Sequence, residues 1–435
     1  MDGRGPKTRA CGFRSAGYAD PPGFELDRTQ RGFRPVGGER VLALDVLRGF
    51  ALLGILLVNV ELFRGPEFWL ALAGEQVLSG LDLVLGFLVA ALAQSKFYSI
   101  FSFLFGLGLV LQTVRAERRG VGSGVFLARR LAVLGLFGLV HAVFVWSGDI
   151  LLTYAVLGFA FLLFRRRSTR TLVIWAALML FVPGLVALFL GGLFLLASTT
   201  PEGAQAVAES QAGQSALFRE VAGSAERAYG SGSYGEMVRQ RLTELALYAS
   251  SLPFLAPSIF GMFLLGGAVA RAGWTEEPGA HRAGIRRAIF WGIVVGLPLS
   301  VLGAVGLFSD GESLFGPALF IVGQALQLLG APFLAAAYMG IVVLLVLSRP
   351  GSALAGRFAA VGRMALTNYL LQSLVFTGIF YGLGLYGRVG LAPALLLCFA
   401  FFAAQLLFSP LWLRRFGQGP MEALWRRLSY GKSGR

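Results

Sequence analysis

Charge is what this sequence has least of. Of 435 residues only 14% are Asp, Glu, Lys or Arg, while 56% are hydrophobic and the mean hydropathy is +0.70. A soluble globular domain carries about 25% charged residues, so that class is excluded. Cysteine is nearly absent: Cys11 lies in a polar stretch and Cys398 in an apolar one, which leaves no disulfide framework. With two histidines in the whole chain no cluster has metal-ligand spacing, and no metal is expected. Internal repeats are missing as well, which weakens the case for an inverted-repeat transporter.

Long apolar runs are what the sequence has instead. A helix crosses a bilayer with roughly 17–25 such residues. Ten runs can be marked off, near 44–62, 82–113, 131–147, 149–164, 171–197, 251–270, 288–308, 317–347, 364–386 and 391–413. The expected fold is all-α, a polytopic transmembrane bundle of about ten helices. Two runs are overlong, and each is either a tilted helix or a break into two pieces, with the break points around Gln94, Ser95 and Lys96 in one and at Gly330–Pro332 in the other.

The formal charge of +15 does not form the single basic face of a nucleic-acid binder, and no nucleic acid is expected as a partner. Arginines cluster between the runs, at 115–130, 165–170, 271–287, 349–363 and from Arg414 onward. With ten crossings all these loops share one side, so both termini are expected in the cytoplasm of a bacterial-type plasma membrane. Residues 1–38 lack an apolar h-region and read as a disordered cytoplasmic tail, without a cleavable signal peptide. Residues 39–197 then form an N-terminal membrane half of about five helices, 198–250 an extracytoplasmic loop with an amphipathic helix near Tyr234–Tyr248, 251–413 a second half of about five helices, and 414–435 a basic cytoplasmic tail.

An ionisable group at membrane depth costs about 2.5 kcal/mol or more, so each one needs a partner or a purpose. In RVLALDVLRGFALLGILLVNV, residues 40–60, Asp45 and Arg48 share a helix face near the inner end and Asn59 lies near the outer end. The first two read either as an anchoring interfacial ion pair or as part of a site. In GLVHAVFVWSGDILLTYAVLG, residues 138–158, His141 falls roughly 7 to 8 Å below the outer surface. His141 is either an interhelical hydrogen bond or a base. Asp149 follows the Ser147–Gly148 turn, where it is either a helix N-cap or the carboxylate that orients His141. Lys96 either marks a helix break or reaches into a polar cavity. Arg363, Asn368 and Gln372 form a stripe at helical spacing. Arg363 suits a phosphate, together with Arg48, as well as it suits positive-inside anchoring.

The segment LDVLRGFALLGILLVN resembles the first membrane helix of the transmembrane acyltransferase superfamily, which includes the acyltransferase-3 proteins and the heparan-alpha-glucosaminide N-acetyltransferases. More specifically, four further stretches resemble the YeiB-like family, whose C-terminal half is a domain of unknown function. They are KFYSIFSFLFGLGL (96–109), the 138–158 segment, GRMALTNYLLQS (362–373) and RRFGQGPMEALWR (414–426). The similarity runs from residue 39 to about 430. What the superfamily resemblance implies is transfer of an acetyl-like group from cytoplasmic acyl-CoA to a small-molecule or glycan-like acceptor on the far side. His141 and Asp149 would then be catalytic, Arg48, Lys96 and Arg363 would hold the donor, and Asp45, Asn59, Asn368 and Gln372 would line the acceptor site.

One departure matters. Acyltransferase-3 proteins carry a histidine at the end of the first helix, and the heparan enzymes an asparagine followed by a histidine. Here Asn59 is present but no histidine occurs between 60 and 140, which leaves His141 as the intramembrane base. The competing expectation is a transporter or channel for a small organic solute, with His141, Asp149 and Lys96 coupling to protons. A third is a membrane-embedded binding protein without turnover. Beyond membrane lipids the sequence leaves open the acceptor, the acyl chain and the choice between monomer and homodimer.

Overall fold

The computed structural model describes residues 38–430 except 76, 119–121, 275, 277, 310–314 and 350. Residues 1–37 of the expected N-terminal tail and 431–435 of the C-terminal tail lie outside the described residues.

Among the described residues the fold is all α, without a strand. The first half comprises α1 (Gly38–Arg64), α2 (Glu67–Leu72), α3 (Gly80–Leu92), α4 (Lys96–Arg118), α5 (Ser123–Phe144), α6 (Leu151–Phe161) and α7 (Thr169–Ala197). Two long helices follow, α8 (Pro201–Ser231) and α9 (Tyr234–Arg271). The remainder holds α10 (Arg282–Trp291), α11 (Leu297–Leu307), α12 (Gly316–Ser348), α13 (Ala353–Arg363), α14 (Ala365–Thr377), α15 (Leu391–Phe416) and α16 (Pro420–Tyr430). Single π-turns join α10 to α11 and extend α14 to Gly382.

Among the described residues eight stretches are long and apolar enough to cross a membrane, with α3–α4 and α10–α11 each counted as one. The chain is a multi-pass membrane protein. The other two expected crossings are shorter. The eleven residues of α6 give about 16 Å of helix, half of a ~30 Å hydrocarbon core, and α14 with its π extension covers 365–382.

The break expected at 94–96 is there: Ser95 turns the chain between α3 and α4 at φ 69°. At Gly330–Pro332 the other alternative holds, because α12 runs unbroken through a buried Pro332. A proline removes a single N–H, and a packed bundle absorbs that loss. The expected loop over 198–250 is helical too. Thr200 caps α8 by accepting from Gly203 N at 3.1 Å, and Ser233 with Glu236 forms a capping box that starts α9. Its Ala, Gln and Glu are polar or small yet favour helix, so low hydropathy here does not mean a loop.

Helices approach closely where side chains vanish, the usual device for packing in lipid. A Cβ at Gly106 would overlap the Phe263 carbonyl and one at Gly266 the Phe103 carbonyl, which seats α4 directly on α9. Gly49 meets Phe358 and Gly362 meets Asp45 in the same way, seating α1 on α13.

These crossings sort the loops onto two ends. At one end Arg271 donates to the Arg165 carbonyl and Arg129 Nε to Leu428 O at 3.1 Å. The Arg130 guanidinium lies 4.0 Å over the Trp425 ring. There Glu422 of α16 caps α14, accepting from Leu366 N at 2.8 Å and Thr367 N at 3.1 Å. The start of α1 packs beside Gly362 at this same end. Tertiary contacts therefore gather residues of the basic loops at one end of the bundle. At the opposite end Asp82 caps α15, accepting from Leu391 N at 2.8 Å and Ala392 N at 2.9 Å.

Candidate functional site

His141 is in the last turn of α5 and only 3% exposed. Its ring stands 5.4 Å from that of Tyr369 on α14 and 6.5 Å from that of Trp146. The turn that follows brings Asp149 back against it, with His141 Nδ1 2.8 Å from Asp149 Oδ2. The second carboxylate oxygen, Oδ1, accepts from Leu152 N at 2.8 Å. Asp149 is thus both the cap of α6 and the partner of His141; the alternatives are not exclusive, because a carboxylate has two oxygens. The close approach of the hairpin depends on Gly138, where a Cβ would overlap Leu152 N.

The other ring nitrogen, His141 Nε2, is buried and has no hydrogen-bond partner among the described residues. An imidazole whose Nδ1–H is given to a carboxylate presents an Nε2 lone pair, which is the arrangement of a general base. The Tyr369 hydroxyl accepts from Ile150 N at 3.3 Å, which leaves its own proton to donate. Phe63 of α1, with ring centroids 4.3 Å apart, packs on Trp146 and closes the site toward α1.

A polar cluster that the sequence reading passed over supports this turn. Glu244 of α9 is buried and accepts from Ser147, from Tyr229 Oη at 2.9 Å and from Gln240 Nε2 at 3.2 Å. Burial, reinforced by the Glu244 carboxylate, holds the Tyr229 phenol well above its usual range, so it remains a donor. Tyr229 stacks on Tyr381 at 4.3 Å, and Arg241 donates to Phe144 O at 3.1 Å, the C-terminal residue of α5. The signal for Glu244 was an acid two turns before the apolar part of α9, in the helix expected near Tyr234–Tyr248 but on the extracytoplasmic side of the expected boundary at 251.

The remaining predicted residues lie elsewhere. Asp45 and Arg48 pair at 2.6 Å at the basic end, where Arg363 is exposed at the end of α13. Arg48 is fifteen residues before Phe63 on α1, so about 22 Å along the bundle from the level of Trp146. Lys96 is fully buried and donates to Ala90 O at 3.1 Å and to Gln327 Oε1. Gln327 Nε2 in turn donates to Ala90 O and Ser300 O, both at 3.1 Å. Lys96 therefore serves the Ala90 carbonyl near the end of α3 and the Gln327 side chain of α12.

Asn368 and Gln372 meet α15 rather than a cavity. Asn368 Nδ2 donates to Val361 O at 3.1 Å and Ser409 Oγ at 3.2 Å, while Gln372 Nε2 donates to Gln405 Oε1 at 2.9 Å. Gln405 Nε2 completes the chain by donating to Asn368 Oδ1 at 3.2 Å. Asn59 is half-buried in α1. None of the nine predicted residues lines the cavity of about 680 Å³ at the Asp82 end, nor the smaller one of about 210 Å³ beside it.

Comparison with known proteins finds relatives along the whole described fold. Residues 269–432 match the family described as "Protein of unknown function (DUF418)", a stretch running from the end of α9 through α16. The uncharacterized protein YxaH of Bacillus subtilis (strain 168) is 40% identical over 412 residues, covering 90% of this chain and 94% of its own length. The uncharacterized protein YeiB of Escherichia coli (strain K12) is 34% identical over 404 residues, covering 91% and 98%. An uncharacterized 39.9 kDa protein in the amylase 3′ region of Bacillus acidopullulyticus is 29% identical over 397 residues, covering 91% and 95%. No solved structure matches.

Proposed function

The chain belongs to the YeiB-like family of DUF418 membrane proteins, and we propose that it is an integral membrane acyltransferase of a bacterial-type plasma membrane, with His141 as its base. The observation that carries this is the dyad: an imidazole held at Nδ1 by a capped carboxylate, with Nε2 buried and unpartnered. In the reaction, Nε2 takes the proton of an acceptor hydroxyl or amine as that atom attacks the thioester carbonyl of acyl-CoA. The tetrahedral oxyanion accepts a hydrogen bond from the Tyr369 hydroxyl. Collapse breaks the C–S bond, and the imidazolium returns its proton to the departing thiolate.

By the positive-inside rule the basic end faces the cytoplasm. Arg363 and Arg48 there suit the phosphates of coenzyme A, since a guanidinium matches phosphate oxygens in pairs. Arg48 must leave Asp45 to do so, or share it. The donor's pantetheine arm has the ~22 Å between Arg48 and the dyad level to cover.

The test is purified protein in nanodiscs with radiolabelled acetyl-CoA and a lysate-derived acceptor pool. Wild type is expected to transfer label, His141→Ala to lose transfer while retaining CoA binding, and Arg48→Ala to lose binding. Absence of CoA binding by calorimetry and of label retention would sink acyl transfer. A proton-coupled solute flux abolished by His141→Ala would put transport in its place.

A further inference from the structure

The cavity of about 680 Å³ lies between the end of α1, α2, α3, α8 and the α11–α12 junction, at the end of the bundle opposite the basic loops. It falls within the range of small-organic-ligand pockets, roughly 300–1,000 Å³. Neither His141 nor Asp149 lines it, so it is a place separate from the dyad.

Its charged lining does not balance. Three carboxylates, those of Glu61, Glu67 and Glu75, face two guanidiniums, those of Arg64 and Arg219. Arg64 Nη1 pairs with Glu67 Oε1 at 2.8 Å and also donates to Val389 O at 3.4 Å, while Arg219 Nε pairs with Glu75 Oε1 at 2.7 Å. Glu61 is left with no ion pair and no hydrogen bond among the described residues, one turn before Arg64 on the same face of α1. A second acceptor at the cavity, Glu67 Oε2, is buried without a hydrogen-bond partner among the described residues.

A half-buried carboxylate without an ion pair, in a lining with more acids than bases, favours a ligand that brings a positive charge. An anionic ligand meets Glu61 as a like charge, and a neutral alcohol leaves the charge uncompensated. A primary ammonium brings the missing positive charge and three N–H donors to a lining rich in acceptors. The rings of Phe68, Phe218, Phe308 and Phe320 on the remaining walls suit an apolar body, and an aromatic face also attracts a cation. We propose that this cavity binds a primary ammonium compound with an apolar body, Glu61 serving as its counter-ion. The ammonium belongs either to a free amine or to an aminophospholipid head group.

The experiment uses the full chain in nanodiscs of phosphatidylglycerol, which carry no amine, with binding read by calorimetry and by thermal shift. Hexylammonium is expected to bind saturably and at least tenfold more tightly than hexanol, with no binding of hexanoate. Glu61→Gln is expected to weaken hexylammonium at least tenfold without affecting hexanol. Adding phosphatidylethanolamine decides the source: competition with hexylammonium assigns the site to a lipid head group, and its absence to a free amine. Equal binding of hexanol and hexylammonium, an amine preference that survives Glu61→Gln, or no saturable binding of either amine overturns the proposal. If Glu61→Gln does not fold, the order of the three probes on wild type decides alone. All readouts are equilibrium binding without an acyl donor, so failure here leaves transfer at His141 untouched.

Discussion

His141 and Asp149 are joined at 2.8 Å across the α5–α6 hairpin, and the same carboxylate holds Leu152 N at the start of α6. Each role uses one oxygen, so the two can be separated by substitution. Asp149→Asn keeps a good cap and is expected to lower stability by less than about 0.5 kcal/mol. It exchanges an ion for an amide next to Nδ1, and transfer is expected to fall on the order of 10²–10⁴-fold. Asp149→Ala loses the cap too, at about 1 kcal/mol. Thermal unfolding measured beside label transfer distinguishes the two variants; equal activity of wild type and Asp149→Asn would remove the dyad from the chemistry.

Lys96 and Gln327 are expected to respond asymmetrically. Lys96→Met leaves Ala90 O bonded to Gln327 Nε2 but takes the donor from the buried Gln327 Oε1, and is expected to cost about 1 kcal/mol, the lower end for one orphaned acceptor. Gln327→Leu strips the ammonium of one of its two acceptors and is expected to cost about 2–3 kcal/mol. Thermal unfolding in detergent micelles measures both, and the reverse order would mean that Lys96 has a partner other than these carbonyls.

Gly266 and Gly192 make a matched pair for packing. A side chain at Gly266 meets the Phe103 backbone, which cannot swing aside, whereas Gly192 of α7 faces open space. Gly266→Val is expected to cost about 1–3 kcal/mol or more, visible as a lower yield of monodisperse protein. Gly192→Ala should be neutral or stabilise by about 0.5–1 kcal/mol.

Gln405 links Asn368 to Gln372. Gln405→Leu is expected to cost roughly 0.6–1.7 kcal/mol, the range for interhelical polar contacts in membranes. Transfer per folded molecule should not change if Asn368 and Gln372 only fasten α14 to α15. A selective rise in KM for the acceptor would return them to the binding site.

Hydropathy determined the all-α membrane fold, the eight helical stretches long enough to cross and the break before Lys96, because lipid leaves each crossing no choice but to satisfy its own backbone. Composition hid α8, which polar helix formers build, while the helix expected near Tyr234–Tyr248 is the start of α9; a helix that packs on other helices needs no apolar run of its own. The pairing of His141 with Asp149 was legible as an option, since both flank one tight turn.

What only the tertiary structure decided is which polar groups are consumed and which are left over. Asn368, Gln372 and Lys96 looked functional in one dimension and find their partners on α15 and α12, far along the chain. Glu61 drew no notice near the end of its apolar run, yet it is the carboxylate without an ion pair in a cavity built by five other segments. The sequence by itself determines the number and kind of buried polar groups. Only the folded bundle decides which of them face one another, because hydrogen-bond satisfaction depends on distances of about 3 Å between residues that hydropathy places no closer than the same membrane.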